Sequence, residues 1–172
     1  AGAIGFAIIA VFMIAVYFLP GFVAVLALGL YVELIIILLD AFNITLTLPG
    51  IAGIILGIGM AVDANVIIFA RIREELATGK TTRSSVKIGF GKAYSAIIDG
   101  NVTTLIAAIV LGVMGTGPIK GFASTLALGI VVSMFTALFI TRMILNALMG
   151  IGLNSPKLFG IAKEKKAKDF LK

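Results

Sequence analysis

The sequence predicts an all-α membrane protein with five transmembrane helices. Of its 172 residues, 60% are hydrophobic and only 13% are charged, against about 25% charged residues in soluble domains. The apolar residues also occur in runs close to the ~20 residues that a helix needs to cross a ~30 Å hydrocarbon core. Since so little polar surface could not cover a water-soluble globule, a bundle of spanning helices is the favoured fold class.

Five apolar segments divide residues 1–150 into a single transmembrane domain. The predicted spans cover residues 2–19, 22–39, 49–69, 97–114 and 121–149. Pro and Gly at several junctions are typical of helix ends, and Pro49 suits the first turn of a helix, where its missing N–H costs nothing. The remaining residues, 151–172, are predicted to form a basic cytoplasmic tail.

The segment between the third and fourth spans, residues 71–96, is predicted to form a cytoplasmic helical hairpin. Its first arm continues the third span as far as a turn at residues 78–80. Its second arm begins at Thr82 and repeats apolar residues at helical spacing. These residues are Val86, Phe90, Tyr94 and Ile97. The pattern predicts an amphipathic helix that lies at the membrane surface.

The basic residues predict the orientation of the bundle. Thirteen of the fourteen Lys and Arg residues lie in the hairpin segment, at the end of the fifth span or in the tail, and only Lys120 lies on the opposite side. The positive-inside rule then places the C-terminus in the cytoplasm and the N-terminus outside, which predicts an earlier span ahead of residue 1. The basic tail does not require a nucleic-acid partner, because topology and lipid headgroups explain it.

Several classes of chemistry are excluded by composition. The chain has no Cys and no His, which removes disulfides, thiol catalysis and the usual zinc sites. No phosphate-binding loop or nucleophile triad is present. We therefore expect neither an enzyme nor a cofactor.

Asp63 is the strongest candidate for function. It lies near the middle of the third span, where a charged side chain costs roughly 2.5–3.5 kcal/mol on insertion scales. Such a residue almost always faces the protein interior or water, and a carboxyl in that position can bind and release a proton. The alternative is that Asp63 only forms hydrogen bonds to neighbouring helices.

Small residues surround Asp63 along the same span. Gly53, Gly57 and Ala61 recur every four residues, and Gly59 lies one turn before Asp63. Small residues at this spacing let another helix approach closely. We expect this packing to place Asp63 at a crowded helix crossing, away from lipid.

Other polar residues in the spans have two interpretations. Glu33 lies midway along the second span and could face Asp63, so that the two carboxyls titrate as a pair; it could equally be a protonated packing residue. Asn101, Thr103 and Thr104 of the fourth span could form a polar path with Asp63, or could only hold helices together, which is the commoner use of Thr. Asn65, two residues after Asp63, is a candidate for the same site together with Asn101 and Thr104.

Several sequence blocks carry a family resemblance. They are PGIAG at 49–53, GMAVDANV at 59–66, RIREEL at 71–76, DGNVTTL at 99–105, GTGPIKGFA at 115–123, MFTA at 134–137 and TR at 141–142. With them, essentially the whole chain resembles SecD, of the SecD/SecF family in the resistance–nodulation–division superfamily. Two positions depart from the pattern: Ala70 stands where many relatives carry Glu, and Glu33 where an uncharged polar residue is expected.

The resemblance implies half of a resistance–nodulation–division-type bundle in the plasma (inner) membrane of a bacterium or archaeon. The five spans would be helices two to six of a six-helix protein whose large extracytoplasmic domain follows helix one. The implied partners are SecF, the SecYEG channel, membrane lipids and a preprotein held by the extracytoplasmic domain. The implied activity is export driven by a proton or sodium gradient, and Asp63 matches the coupling aspartate of the family.

Two rival functions remain at this point. One is an exporter of lipids or small molecules from the same superfamily. The other is a scaffold in which the polar residues only hold helices together.

Overall fold

A computed structural model describes residues 2–152 as a bundle of helices. Six α-helices and one short π-helical segment follow one another along the chain. They are α1 (Gly2–Tyr17), α2 (Leu19–Ala41), α3 (Leu48–Ala77), α4 (Thr82–Met114), α5 (Pro118–Phe135), the π segment (Thr136–Ile140) and α6 (Thr141–Gly150). Nearly all of the predicted basic tail lies outside the described residues.

Local sequence explains where the helices begin. The side chain of Thr47 accepts a hydrogen bond from the Gly50 N–H at 3.1 Å, directly before α3. Thr81 accepts one from the Ser84 N–H at 3.3 Å, directly before α4. Such caps satisfy backbone donors that have no partner inside the helix. Proline occupies the first turn of α2, α3 and α5, where it removes no hydrogen bond.

The number of spanning helices is confirmed in part. By length and composition, four helical stretches of the described chain can cross a membrane: Leu19–Ala41, Leu48–Ala77, Thr82–Met114 and Pro118–Gly150. The fifth predicted span, α1, is apolar but has only 16 residues, which is about 24 Å at 1.5 Å per residue. It is therefore shorter than a ~30 Å hydrocarbon core.

The turn predicted at residues 78–80 lies between α3 and α4, but the second arm of the predicted hairpin is not a separate helix. The predicted second arm of the hairpin and the fourth span form one continuous helix, α4, of 33 residues. Its first half packs against the end of α3, so closely that a Cβ on Gly89 would lie 2.9 Å from the Ile72 Cα. Of the residues predicted to share one apolar face, Val86, Phe90 and Ile97 are buried, but Tyr94 is 55% exposed. The buried part of the apolar stripe therefore contributes to a helix–helix contact within the described chain.

The two ends of the bundle differ in charge. The Gly50 and Gly121 backbones both approach the Thr47 side chain, so the α2–α3 and α4–α5 connections meet at one end, close to Lys120. At the opposite end of the bundle, buried residues from the last turns of α3, the start of α4 and α6 form a shared core. The remaining basic residues of the described chain belong to that end: Arg71, Arg73, Lys80, Arg83, Lys87, Lys92 and Arg142. The clustering agrees with the predicted charge asymmetry.

Candidate functional site

One face of α3 forms the tightest helix crossing of the candidate site. Gly53, Gly57 and Ala61 are buried on this face, as the small-residue spacing predicts. A Cβ on Gly53 would lie 2.3 Å from the Thr125 Oγ1, and one on Gly57 would lie 2.5 Å from the Tyr31 hydroxyl oxygen. Glycine is therefore required here by the close approach of α5 and α2.

Gly59 does not belong to this crossing. It is exposed, and a Cβ at this position would have no neighbour within 4 Å. The reason is geometric: two residues advance a helix by about 200°, so Gly59 lies on the face opposite Gly57. The predicted packing role of Gly59 is therefore wrong within the described chain.

Asp63 lies on that same outer face of α3. It is exposed, and within residues 2–152 its carboxylate has no hydrogen bond or ion pair. The exposed face continues along the helix at three-, four- and seven-residue spacing through Ala52, Leu56, Gly59, Asp63 and Ala70. The expectation that the Gly53–Gly57–Ala61 stripe would carry Asp63 into a helix crossing is wrong, because Ala61 and Asp63 lie about 200° apart.

Asn65 lies on the buried face, opposite Asp63, with 3% of its surface exposed. Its Oδ1 accepts a hydrogen bond from the Thr141 Oγ1 at 2.8 Å, and its Nδ2 donates one to the Ala61 carbonyl at 3.2 Å. The amide therefore joins α3 to the start of α6. The structure does not bring Asn65 and Asp63 to one face.

Thr141, the hydrogen-bond partner of Asn65, directly follows the π segment. Thr141 also donates to the Thr136 carbonyl, five residues earlier, at 3.2 Å. Thr136, one turn before Thr141, and Ser133, about two turns before it, are also buried and donate to the carbonyls of residues three positions earlier. Short π segments are often found at functional sites. Sequence reasoning missed Thr141 as a site residue, although the five-residue spacing of Thr136 and Thr141 is the period of a π-helical hydrogen bond.

Asn101 and Thr104 lie three residues apart on α4. Asn101 is buried and donates to the Ile97 carbonyl at 2.7 Å, and the half-buried Thr104 donates to the Gly100 carbonyl at 3.2 Å. Both bonds stay within α4, so neither residue is joined to Asp63 by a hydrogen bond.

Glu33 is exposed on the outer face of α2. Its neighbours two residues away on either side, Tyr31 and Ile35, are buried, and Tyr31 contacts Gly57 of α3. Glu33 therefore points away from α3. Within residues 2–152 the structure does not form the predicted Glu33–Asp63 pair, and the exposed Glu33 is not the buried packing residue considered for it.

Unlike Asp63 and Glu33, the acid Glu75 is buried, and it was not predicted as a site residue. Only 2% of its surface is exposed, and its two carboxylate oxygens each accept a hydrogen bond, from Lys80 and from Lys92. The two ammonium groups neutralise the carboxylate and fix the α3–α4 turn to the flank of α4. The spacing of these residues (five and seventeen) gives no helical pattern that would reveal the cluster in the sequence.

Comparison with known proteins identifies the family. The family model described as "Protein export membrane protein SecD/SecF, C-terminal" matches residues 1–150. The chain belongs to the SecD/SecF family. Curated SecD proteins, named protein translocase subunits, support this assignment: the chain is 56% identical over 169 residues to SecD of Acidaminococcus fermentans and 48% identical over 146 residues to SecD of Pseudomonas aeruginosa.

The fold of the SecD/SecF chain also matches a solved structure. A crystal structure of SecDF, described as a translocon-associated membrane protein, from Thermus thermophilus superposes with a TM-score of 0.84 at 43% identity. The match covers 87% of this chain and 21% of that one. The match to the A. fermentans SecD covers 97% of this chain and 40% of that protein. The match to the P. aeruginosa SecD covers 85% of this chain and 24% of that protein. The chain therefore corresponds to the C-terminal membrane part of such proteins.

Proposed function

We propose that this chain is the membrane part of a SecD-type subunit that uses an ion gradient to assist SecYEG-dependent protein export. The observation that carries the proposal is the position of Asp63, midway along α3 on an exposed face. The names of the relatives support protein export, and the lipid or small-molecule exporter has no comparable support among them.

The exposed position of Asp63 argues for a second membrane half. A carboxylate facing lipid at mid-span costs roughly 2.5–3.5 kcal/mol, so a stable complex has to cover it with protein or water. Ala52, Gly59 and Ala70 on the same face are small, which lets another helix approach. A SecF half packed on this face would turn the outer surface of this chain into the interior of a larger bundle.

In that interior, proton binding would neutralise Asp63 and deprotonation would restore its charge. One elementary charge that crosses the membrane field provides about 2.3 kcal/mol per 100 mV. This exceeds the 1.4 kcal/mol that corresponds to a tenfold change in an equilibrium, so it suffices to shift a two-state helix arrangement. A sodium ion bound at the same carboxylate would act through the same charge.

The test is Asp63→Asn in the complete export complex. We expect the ion-dependent part of export to be lost while the complex still assembles, because Asn keeps the shape and cannot be ionised. Glu33→Gln is the matched control: it also removes an exposed mid-helix acid, but from the outer face of α2, and should leave ion-dependent export intact.

Unchanged ion-dependent export by the Asp63→Asn complex would overturn the coupling role. A scaffold role makes a different prediction, namely a complex that assembles poorly or unfolds more easily, with its remaining activity still dependent on the ion gradient.

A further inference from the structure

A groove between α4 and α6 opens near the basic end of the bundle. Two adjoining cavities, of 680 and 440 Å³, share Lys87, Arg142 and Asn146 in their walls. Arg83 adds a third cation to the smaller cavity. Volumes of this size are typical of small-molecule sites.

The groove changes in polarity along its length. Its outer part, toward the start of α4 and the end of α6, contains Arg83 and Lys87. Its deeper part is lined by Tyr94, Leu138 and Phe139. Phe139 lies in an apolar stretch of the spanning helix, and 63% of its surface is exposed.

The cations of the groove have no acidic partner in the described chain. Arg83, Lys87 and Arg142 form no ion pair within residues 2–152, and the contact found for Arg142 is with the Phe90 ring, 5.9 Å from its guanidinium. By contrast, Lys80 and Lys92 of the same end are both bound to Glu75. The groove therefore presents positive charge without internal compensation.

We propose that this groove binds an anionic phospholipid. The phosphate would lie between Lys87 and Arg142, within reach of the Asn146 amide, and an acyl chain would extend along Phe139 and Tyr94. The lipid headgroup would lie at the membrane surface beside the cations, and its acyl chain would run toward the bilayer centre along the apolar part of the groove. Basic pockets between spanning helices bind anionic lipid headgroups in this way.

The chain contains no Trp, which gives a direct test. The protein carrying Phe139→Trp is reconstituted in vesicles that contain brominated phosphatidylglycerol or brominated phosphatidylcholine, and the parent protein is subtracted as background. We expect phosphatidylglycerol to quench the new Trp at a lower mole fraction than phosphatidylcholine does. Lys87→Gln and Arg142→Gln should each weaken the preference about fivefold, the effect of one cation near a membrane surface.

Lys120→Gln, which removes a cation from the opposite end, is the matched control and should keep the preference. Equal quenching by the two lipids would overturn the proposal, as would a preference that survives the Lys87→Gln/Arg142→Gln double variant. Quenching by neither lipid would mean that protein covers the groove or, where the reconstituted protein still binds inorganic phosphate, that the groove is a site for free phosphate; either result rejects the lipid site.

Discussion

At the scale of the residue, Tyr31 shows how tightly three helices meet beside the candidate site. Its side chain is fully buried, with its hydroxyl between Gly57 of α3 and Gly129 of α5. The hydroxyl has no hydrogen-bond partner within the described residues. A buried polar group without a partner costs about 1–3 kcal/mol.

Tyr31→Phe is therefore expected to leave the free energy of unfolding unchanged or to raise it by about 1 kcal/mol. The ring stays in place and only the unbonded hydroxyl is lost. Reversible unfolding in detergent micelles measures the change, with Tyr94→Phe at an exposed position as the control. A loss of stability larger than that of the control would mean that the hydroxyl has a partner, such as a water molecule.

At the scale of the element, α3 has one face that packs against other helices and an opposite face that is exposed. The face of Gly53, Gly57 and Ala61 packs against the other helices, whereas the face of Gly59 and Asp63 is free within the described chain. Because the faces are about 200° apart, a two-residue step in the sequence decides between helix packing and an exposed surface.

The two faces predict opposite results for the same substitution. Gly53→Ala should destabilise the bundle by about 1–3 kcal/mol, because the new Cβ would lie 2.3 Å from the Thr125 Oγ1 and 3.0 Å from the Phe122 carbonyl oxygen. Gly59→Ala meets nothing within 4 Å and should be neutral or stabilising by up to about 1 kcal/mol through helix propensity. Unfolding of the two variants side by side measures the difference, and equal effects would contradict the assigned faces.

A second element, the π segment, joins the end of the bundle to α3. The Thr141 hydroxyl shares its one proton between the Asn65 Oδ1 and the Thr136 carbonyl, so a contact that spans 76 residues of sequence connects the π turn to α3. If α3 moves when Asp63 changes charge, this buried hydrogen bond is the direct link from α3 to α6.

At the scale of the whole molecule, the outer surface is largely apolar, with large exposed side chains on every helix from α1 to α6. Such a surface suits lipid. The face of α3 around Asp63 differs, because Ala52, Gly59 and Ala70 on it are small, whereas Glu33 on α2 has large exposed neighbours, Leu30 and Ile37, one turn away. It is the surface of the described chain that we expect another protein half to cover.

The absence of Cys from the chain makes this coverage measurable. A cysteine in place of Ala70, exposed on the Asp63 face, should react with a maleimide in the chain alone and be protected when the partner half is co-assembled. Ser95→Cys, exposed on α4, is the control and should react in both states. Equal reactivity of the Ala70→Cys variant in both states would show that the partner covers a different face.

Much of the fold could be predicted from the sequence, because hydropathy runs, Pro and Gly positions and basic residues act locally. These features gave the positions of the long helices, the small-residue stripe and the charge asymmetry of the two ends. The packing of the apolar stripe that includes Val86 and Phe90 was not predicted, because such a stripe suits a membrane surface and a neighbouring helix equally well. Periodicity identifies an apolar face but does not identify what covers it.

The sequence by itself determined the membrane class, the family and the candidate acid Asp63, because composition, motif and charge are properties of the chain alone. Tertiary structure decided which side of each helix is buried. It placed Asn65 in the core with Thr141, left Asp63 and Glu33 on outer faces, and joined Glu75 to two lysines. These outcomes depend on how helices rotate and pair, and that is set by close packing between segments distant in the sequence.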